Sequence, residues 1–257
     1  MNDAASRVVV VTGAASGIGR AVALRLATDA DTLVLLDRDG AGLAETAERA
    51  ERAGASGTLP YAVDVSDGAS VDEALGAAVD TVGPFDGLVS AAGTLEPGTL
   101  EEVTEDAWQR HLAVNATGVF HLLRTGAPRI RDGGAVVVVS SNAARVARAG
   151  MLAYAASKAA ASALTRCAGL ELAARGIRCN VVEPGSTDTP MLRALWPDPA
   201  IGAETAIEGD PQSHRLGIPL RRLAAPEDVA DVVRFLLTDA SRHVTLQQLF
   251  VDGGASL

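Results

Sequence analysis

Aromatic side chains are scarce: two Trp, two Tyr and four Phe in 257 residues. That excludes a core built on rings, and it makes any tyrosine set among small residues conspicuous. Cysteine is nearly absent. Cys167 and Cys179 are too few for a disulfide framework or a four-thiolate metal site, so a reducing compartment, the cytoplasm, is expected. Positive charge is outnumbered, 22 Lys+Arg against 32 Asp+Glu, for a net charge of −10. Such a surface repels phosphate backbones and anionic lipids, so neither a nucleic-acid nor a membrane partner is expected. No apolar run approaches the roughly 18 residues of a membrane span. Residues 1–7 are polar and the apolar run after them is short, so no secretory leader is expected. The four histidines, His111, His121, His214 and His243, are scattered without ligand spacing, so no metal site is expected.

What the chain does have is alternation. Arg7–Val11, Thr32–Leu36, Leu59–Val63, Gly87–Ser90, Ala135–Val139, Cys179–Val182 and Gln248–Val251 read as strands. Between them, Gly17–Ala30, Ala41–Ala53, Val71–Val82, Asp106–Arg124, Leu152–Ala174 and Pro226–Leu237 read as helices. Strands apolar on both faces and joined by helices imply a parallel sheet covered on both sides. End-to-end strand–helix repetition is the doubly wound signature, and no linker interrupts it. One domain over 1–257 with about seven parallel strands is expected. The irregular stretch from Ser186 to Leu216 is too long for a plain connection and reads as a substrate lid.

The first strand runs into Thr12-Gly13-Ala14-Ala15-Ser16-Gly17-Ile18-Gly19, which opens a helix. Glycines there permit a tight turn and bring backbone close to a pyrophosphate, while the helix N-terminus offers free N–H groups and a positive dipole end. Placed between a strand and a helix, the motif points to a dinucleotide and to a Rossmann fold. Asp37 ends the second strand, 24 residues after Gly13. A carboxylate there accepts from a ribose 2′-hydroxyl and repels a 2′-phosphate, which favours NAD, although the neighbouring Arg38 is a guanidinium that would welcome one.

Tyr154 and Lys158 lie four apart at the start of an expected helix and so share a face. Tyrosine acts as a base near neutrality only if its pKa falls from about 10 towards 7, roughly 4 kcal/mol. An ammonium about 5 Å away supplies on the order of 3 kcal/mol at an effective dielectric of ~20. Ser140 and Ser141 end the strongest strand, where the ligand crevice of a parallel sheet lies. Asn115 is a polar residue in an apolar helical stretch, suited both to satisfying backbone groups and to supporting catalysis.

Together these residues resemble the short-chain dehydrogenase/reductase family over nearly the whole chain. The matching positions are Thr12-Gly13, Gly17 and Gly19, Asp64-Val65, Ser90-Ala91-Ala92-Gly93, Asn115, Ser141, Tyr154 with Lys158, and Pro184-Gly185. Ser141 stands 13 residues before Tyr154, the family's usual interval, and is chosen over Ser140. The resemblance implies Tyr154 as general base and Lys158 on the nicotinamide ribose, lowering the tyrosine pKa. It implies Ser141 orienting the substrate oxygen and Asn115 supporting a proton-relay water. It also implies Asp64 at the adenine, Val65, Ala92, Gly93, Pro184 and Gly185 near the cofactor, and Thr187 or Thr189 touching the carboxamide or pyrophosphate. Ser90-Ala91, where the family often has two asparagines, is a departure.

A narrower resemblance, to the 2,3-dihydro-2,3-dihydroxybenzoate dehydrogenase branch, rests on Arg178–Met191, Leu195-Trp196, Leu216–Leu220 and His243–Gln247. It implies NAD-dependent oxidation of the C3 hydroxyl of a cyclohexadiene carboxylate to an aromatic acid of the catechol-siderophore type. A sister activity on trans-2,3-dihydro-3-hydroxyanthranilate and a non-catalytic dinucleotide sensor are the alternatives. A carboxylate in an acidic protein needs a local cation. Arg148, ranked first, Arg145 and the lid residue Arg193 are the candidates. Met151, Met191, Leu192 and Trp196 are apolar candidates for the ring. Asn142 and Arg145 depart from that branch near the expected pocket. The family also implies a homotetramer, pairing helices near 106–124 and 152–174 through Ala155, Ala156, Ala159, Ala160 and Ala163.

Overall fold

The computed structural model describes residues 7–29 and 32–256. Ala30, the last residue of the first expected helix, and residues 1–6 lie outside the described residues. In chain order the strands are β1 (Val8–Thr12), β2 (Thr32–Asp37), β3 (Gly57–Ala62), β4 (Phe85–Ser90), β5 (Ile130–Val139), β6 (Arg178–Pro184), β7 (Gly209–Asp210), β8 (Arg215–Leu216) and β9 (Gln248–Val251). The α-helices are α1 (Gly17–Leu26), α2 (Gly40–Ala53), α3 (Gly68–Val82), α4 (Glu105–Leu112), α5 (Gly118–Gly126), α6 (Leu152–Leu172), α7 (Pro190–Arg193), α8 (Pro199–Glu208) and α9 (Pro226–Leu237).

Seven of these strands form one sheet in the order β3-β2-β1-β4-β5-β6-β9, parallel throughout. The strand sequences explain why both faces are covered. In β1, Val9 and Val11 join the core layer of α1, α2 and α9, while Val8 and Val10 join the layer of α3, α5 and α6. In β5, Val137 and Val139 go one way and Val136 and Val138 the other. Burying a Val or Leu contributes roughly 1.5–3 kcal/mol, against about 0–1 kcal/mol for a surface ion pair. The apolar strands therefore hold the frame on which the site is mounted.

Several element starts precede the apolar pattern because a side chain caps them. Asp39 accepts from the backbone N–H of Ala41 and Gly42 at the start of α2, and Asp67 from Ala69 at the start of α3. Thr104 accepts from Ala107 at the start of α4. The single helix expected over 106–124 is broken: Ala113–Thr117 is a π-helical turn between α4 and α5, and Asn115 sits in it. The stretch 186–216, expected to be irregular, contains α7, α8 and the antiparallel pair β7–β8. These elements are short, and the small residues of α8 show little periodicity, so the pattern hid them.

β1 pairs β2 on one side and β4 on the other. The order reverses there, which opens a crevice beyond the carboxyl ends of those strands.

Candidate active site

Thr12 ends β1 and is paired with Ser90, the end of β4. Its hydroxyl oxygen accepts from the N–H groups of Ala91 at 3.2 Å and Ala92 at 3.3 Å. This packs the chain leaving β4 onto the glycine turn. Gly13 has φ +69°, and a Cβ on it would stand 2.6 Å from Ala92 N; a Cβ on Gly19 would stand 2.0 Å from Gly13 O. Side chains are excluded at both positions. Ser16 caps α1 in an extended conformation without a side-chain hydrogen bond, so the first N–H groups of α1 keep their capacity for an anion. Asp37 Oδ2 accepts from Ala15 N at 3.1 Å and Oδ1 from Asp39 N at 3.1 Å. Two backbone donors thus fix the carboxylate on the cleft wall, beside Arg38, Asp64 and Val65. The Ser66 hydroxyl and N–H hold Asp64 below the usual carboxylate range. Ser16, Gly17, Ile18, Ala92 and Gly93 also line this cleft. The bare backbone, the open helix end and the carboxylate fixed on the wall fit a dinucleotide. Arg110 lines it too, paired with Glu96 at 2.7 Å; sequence reading did not single it out.

Lys158 is the only lysine in the chain, a signal that composition reading passed over. It is buried, and Nζ donates to Val139 O at 3.0 Å. Burial pushes its pKa down to about 8. Nζ lies 5.9 Å from the centroid of the Tyr154 ring. Burial pushes the Tyr154 phenol above its ordinary range, opposed by a hydrogen bond with Ser141 and by the charge of Arg148. Lys158 Nζ, with a pKa of about 8, holds its proton at neutral pH while donating to the β5 carbonyl. The two serines part company here. Ser140 donates to Lys158 O at 2.9 Å and accepts from Ser162 Oγ at 2.9 Å, anchoring α6; Ser141 Oγ accepts from Ala143 N at 3.2 Å and is the hydroxyl that acts on the Tyr154 phenol.

Asn115 is buried and cross-links three segments. Its Oδ1 accepts from Thr94 N at 2.8 Å, and its Nδ2 donates to Thr94 O and to Ser157 Oγ, each at 2.9 Å. Both amide hydrogens are thereby used, leaving one acceptor site on Oδ1. A Cβ on Gly93 would lie 3.3 Å from both Asn115 Oδ1 and Lys158 Nζ, so both atoms face one point next to the cleft.

A second cavity adjoins the cleft, and Thr189 and Met191 line both. Tyr154, Ser141, Arg148, Met151 and Trp196 are in its wall. Pro184, Gly185 and Thr187, expected against the cofactor, line this second cavity, whose wall also holds Tyr154. Arg145, expected at the substrate, is absent from the wall. It lies 3.5 Å from Glu183 Oε2 and 4.5 Å above the centroid of the Phe250 ring. Glu183 is a fully buried carboxylate whose pKa burial raises and Arg145 opposes, so this arginine is committed. Arg193 is likewise committed, to Asp188 at 2.6 and 2.8 Å. Arg148 is in place: burial disfavours its charge, and its Nε is buried without a hydrogen-bond partner. Arg215 of β8 also lines the cavity and was not foreseen. His111 hydrogen-bonds Ala107 O and Glu96 N, a structural role. No group of three metal-binding side chains occurs among the described residues, and no helix among them is long and apolar enough to cross a membrane.

Comparison with known proteins fits this geometry. A family model described as enoyl-(acyl carrier protein) reductase matches residues 13–256. The chain is similar to a 2,3-dihydro-2,3-dihydroxybenzoate dehydrogenase of Bacillus subtilis, 42% identical over 253 residues, covering 98% of this chain and 96% of that one. It is 40% identical over 261 residues to the Escherichia coli protein of the same name, covering 99% of each. It also superposes on a short-chain dehydrogenase from Mycobacterium paratuberculosis solved with NAD, with a TM-score of 0.85, 32% identity and 97% of each chain covered. With the glycine turn, the Ser141–Tyr154–Lys158 cluster and these full-length matches in agreement, the chain belongs to the short-chain dehydrogenase/reductase family.

Proposed function

We propose that this protein is an NAD-dependent dehydrogenase that oxidises the C3 hydroxyl of 2,3-dihydro-2,3-dihydroxybenzoate, giving 2,3-dihydroxybenzoate. The observation that carries the reading is one cavity holding Ser141, Tyr154 and the half-buried cation Arg148, open to the cleft at Thr189 and Met191. The names borne by the 42% and 40% identical relatives support the same substrate. Asp37 supports NAD over NADP, since its carboxylate is fixed by two backbone N–H groups in the cleft wall.

NAD, when bound, would supply the hydride acceptor and a positive charge that favours the phenolate form of Tyr154. Ser141 holds the substrate oxygen. Tyr154 Oη withdraws its proton as the C–H bond breaks. Lys158 fixes the nicotinamide ribose, and Asn115 positions Lys158, Gly93 and α6 through its Thr94 and Ser157 bonds. Arg148 binds the carboxylate, while Met151, Met191 and Trp196 pack on the ring. The ketone product tautomerises to the aromatic acid, which drives the reaction one way. The segment 186–216 acts as the lid, and 1–257 works as one domain.

A homotetramer is the proposed assembly. The unburied faces of α5 and α6 carry Phe120, Leu170, Ala160 and Ala163, small and apolar enough for close helix approach; light scattering tests it. Two free cysteines support a cytoplasmic location.

The functional test is NADH formation with the dihydrodiol acid and with its 2-amino analogue, products identified by mass. The expected result is a strong preference for the diol. Preference for the amino compound would make this a 3-hydroxyanthranilate-forming enzyme, and turnover of neither would defeat the substrate assignment.

A further inference from the structure

Of the described residues that wall the substrate cavity, two are cationic, Arg148 and Arg215, and none is Asp or Glu. This holds in a protein with 32 acidic residues and a net charge of −10. The two arginines come from separate segments. Arg148 is in the loop between β5 and α6, on the same side as Ser141 and Tyr154. Arg215 comes from β8, in the stretch read as the lid. Its main chain is held by pairing with Asp210 across β7–β8. Its Nη2 donates to Ser186 Oγ at 2.8 Å. Ser186 is in turn fixed by its carbonyl, which accepts from Ala224 N at 3.0 Å.

Neither cation is neutralised within the cavity. Asp210 and Asp252 favour the charged forms of Arg215 and Arg148 from outside the wall. Arg148 Nε and Asp252 Oδ2 are both buried without a hydrogen-bond partner, so those two groups act on each other only through space. Each guanidinium is partly desolvated, and Arg215 disfavours the charge of Arg148. Two like charges brought to one partly dry cavity are relieved by an anion between them. A planar carboxylate is the shape that guanidinium forks accept.

We propose that Arg215, anchored by Ser186, is the second arm of a carboxylate clamp with Arg148 and makes the site selective for ring acids over neutral dihydrodiols. This rests on the substrate class given above. It assigns the acid specificity to the lid segment as well as to the fixed loop.

The test compares kcat/KM for the dihydrodiol acid with that for the cyclohexadiene diol lacking the carboxylate, in wild type, Arg215→Met, Arg215→Lys and Ser186→Ala. Calorimetric binding of 2,3-dihydroxybenzoate against catechol gives a readout independent of turnover, and NADH affinity reports folding. Losing a charge-assisted pair is expected to lower the acid-to-diol ratio about 10- to 100-fold in Arg215→Met, chiefly through KM, with partial recovery in Arg215→Lys. Ser186→Ala is expected to lower it about 2- to 10-fold. It stands as the second test should Arg215→Met misfold. An unchanged ratio and unchanged acid binding in the variants, with wild type preferring the acid, would overturn the clamp alone. Absence of any acid preference in wild type would overturn the substrate reading and the clamp together.

Discussion

The glycine-turn end of the cleft beyond β1 and β4 presents main chain, whereas the cavity beside it is walled by side chains from distant segments. In the cleft, Gly13 and Gly19 are needed because Cβ atoms would meet Ala92 N at 2.6 Å and Gly13 O at 2.0 Å. The groups offered at that turn are backbone N–H. The cavity wall carries Arg148, Arg215, Met191 and Trp196, drawn from the β5–α6 loop and from 186–216. A main-chain site tolerates almost no change at its glycines and is common to every ligand with the same phosphate core. A side-chain site can change its substrate by exchanging one arm.

That contrast can be broken from either side. Gly13→Ala puts a side chain at φ +69° against Ala92 and is expected to weaken NADH binding on the order of 100-fold, as displaced contacts commonly do; fluorescence titration measures it. Gly202→Ala places a Cβ 2.1 Å from Cγ of the Trp196 ring. It is expected to raise KM for the dihydrodiol acid about 10-fold, a displacement of under 2 kcal/mol, with NADH affinity kept. Loss of NADH binding in Gly202→Ala would show that the two regions are not separable.

A smaller effect is expected at Asp37. Asp37→Ser removes the carboxylate while leaving the turn, and should shift the NAD-to-NADP ratio of kcat/KM about 10-fold towards NADP, the scale of one charged hydrogen bond. An unchanged ratio would transfer cofactor choice to Arg38.

The smallest effect is in stability. As the only lysine, Lys158 gives a single lysine signal after isotopic labelling, and its titration midpoint is expected at about 8. Below that pH, folded and unfolded chains both hold the proton. Between about 8 and the ordinary 10.5 only the unfolded chain does, so stability from this site rises with pH across that window. From pH 8 to 9 the wild type should gain on the order of 1 kcal/mol relative to Lys158→Met in denaturant unfolding. A midpoint near 10.5 and a flat difference would contradict the buried ammonium.

The same contrast governs how much was legible in the sequence. The sheet was readable because Val8–Val11 and Ala135–Val139 are apolar on both faces, and the cleft because glycine spacing is a local constraint. The Ser141, Tyr154 and Lys158 cluster was readable from one strand end and one helix turn. Arg215 was not, because a two-residue strand 61 residues after Tyr154 has no local pattern that places it in the cavity. Arg145 was misjudged for the reciprocal reason: its partner Glu183 lies 38 residues away on β6, and nothing near Arg145 announces it. The same is true of the electrostatics of Tyr154. Helical spacing puts Lys158 near the phenol, but only packing shows that the lysine is bonded to Val139 and that Arg148 also acts on the phenol.

The most direct test of the account is Tyr154→Phe, which removes one oxygen from the cavity. The account predicts that kcat for the dihydrodiol acid falls about 1,000-fold, within the usual range for a positioned proton acceptor, while 2,3-dihydroxybenzoate still binds. Turnover within a few-fold of wild type would contradict it, because the base would then lie elsewhere.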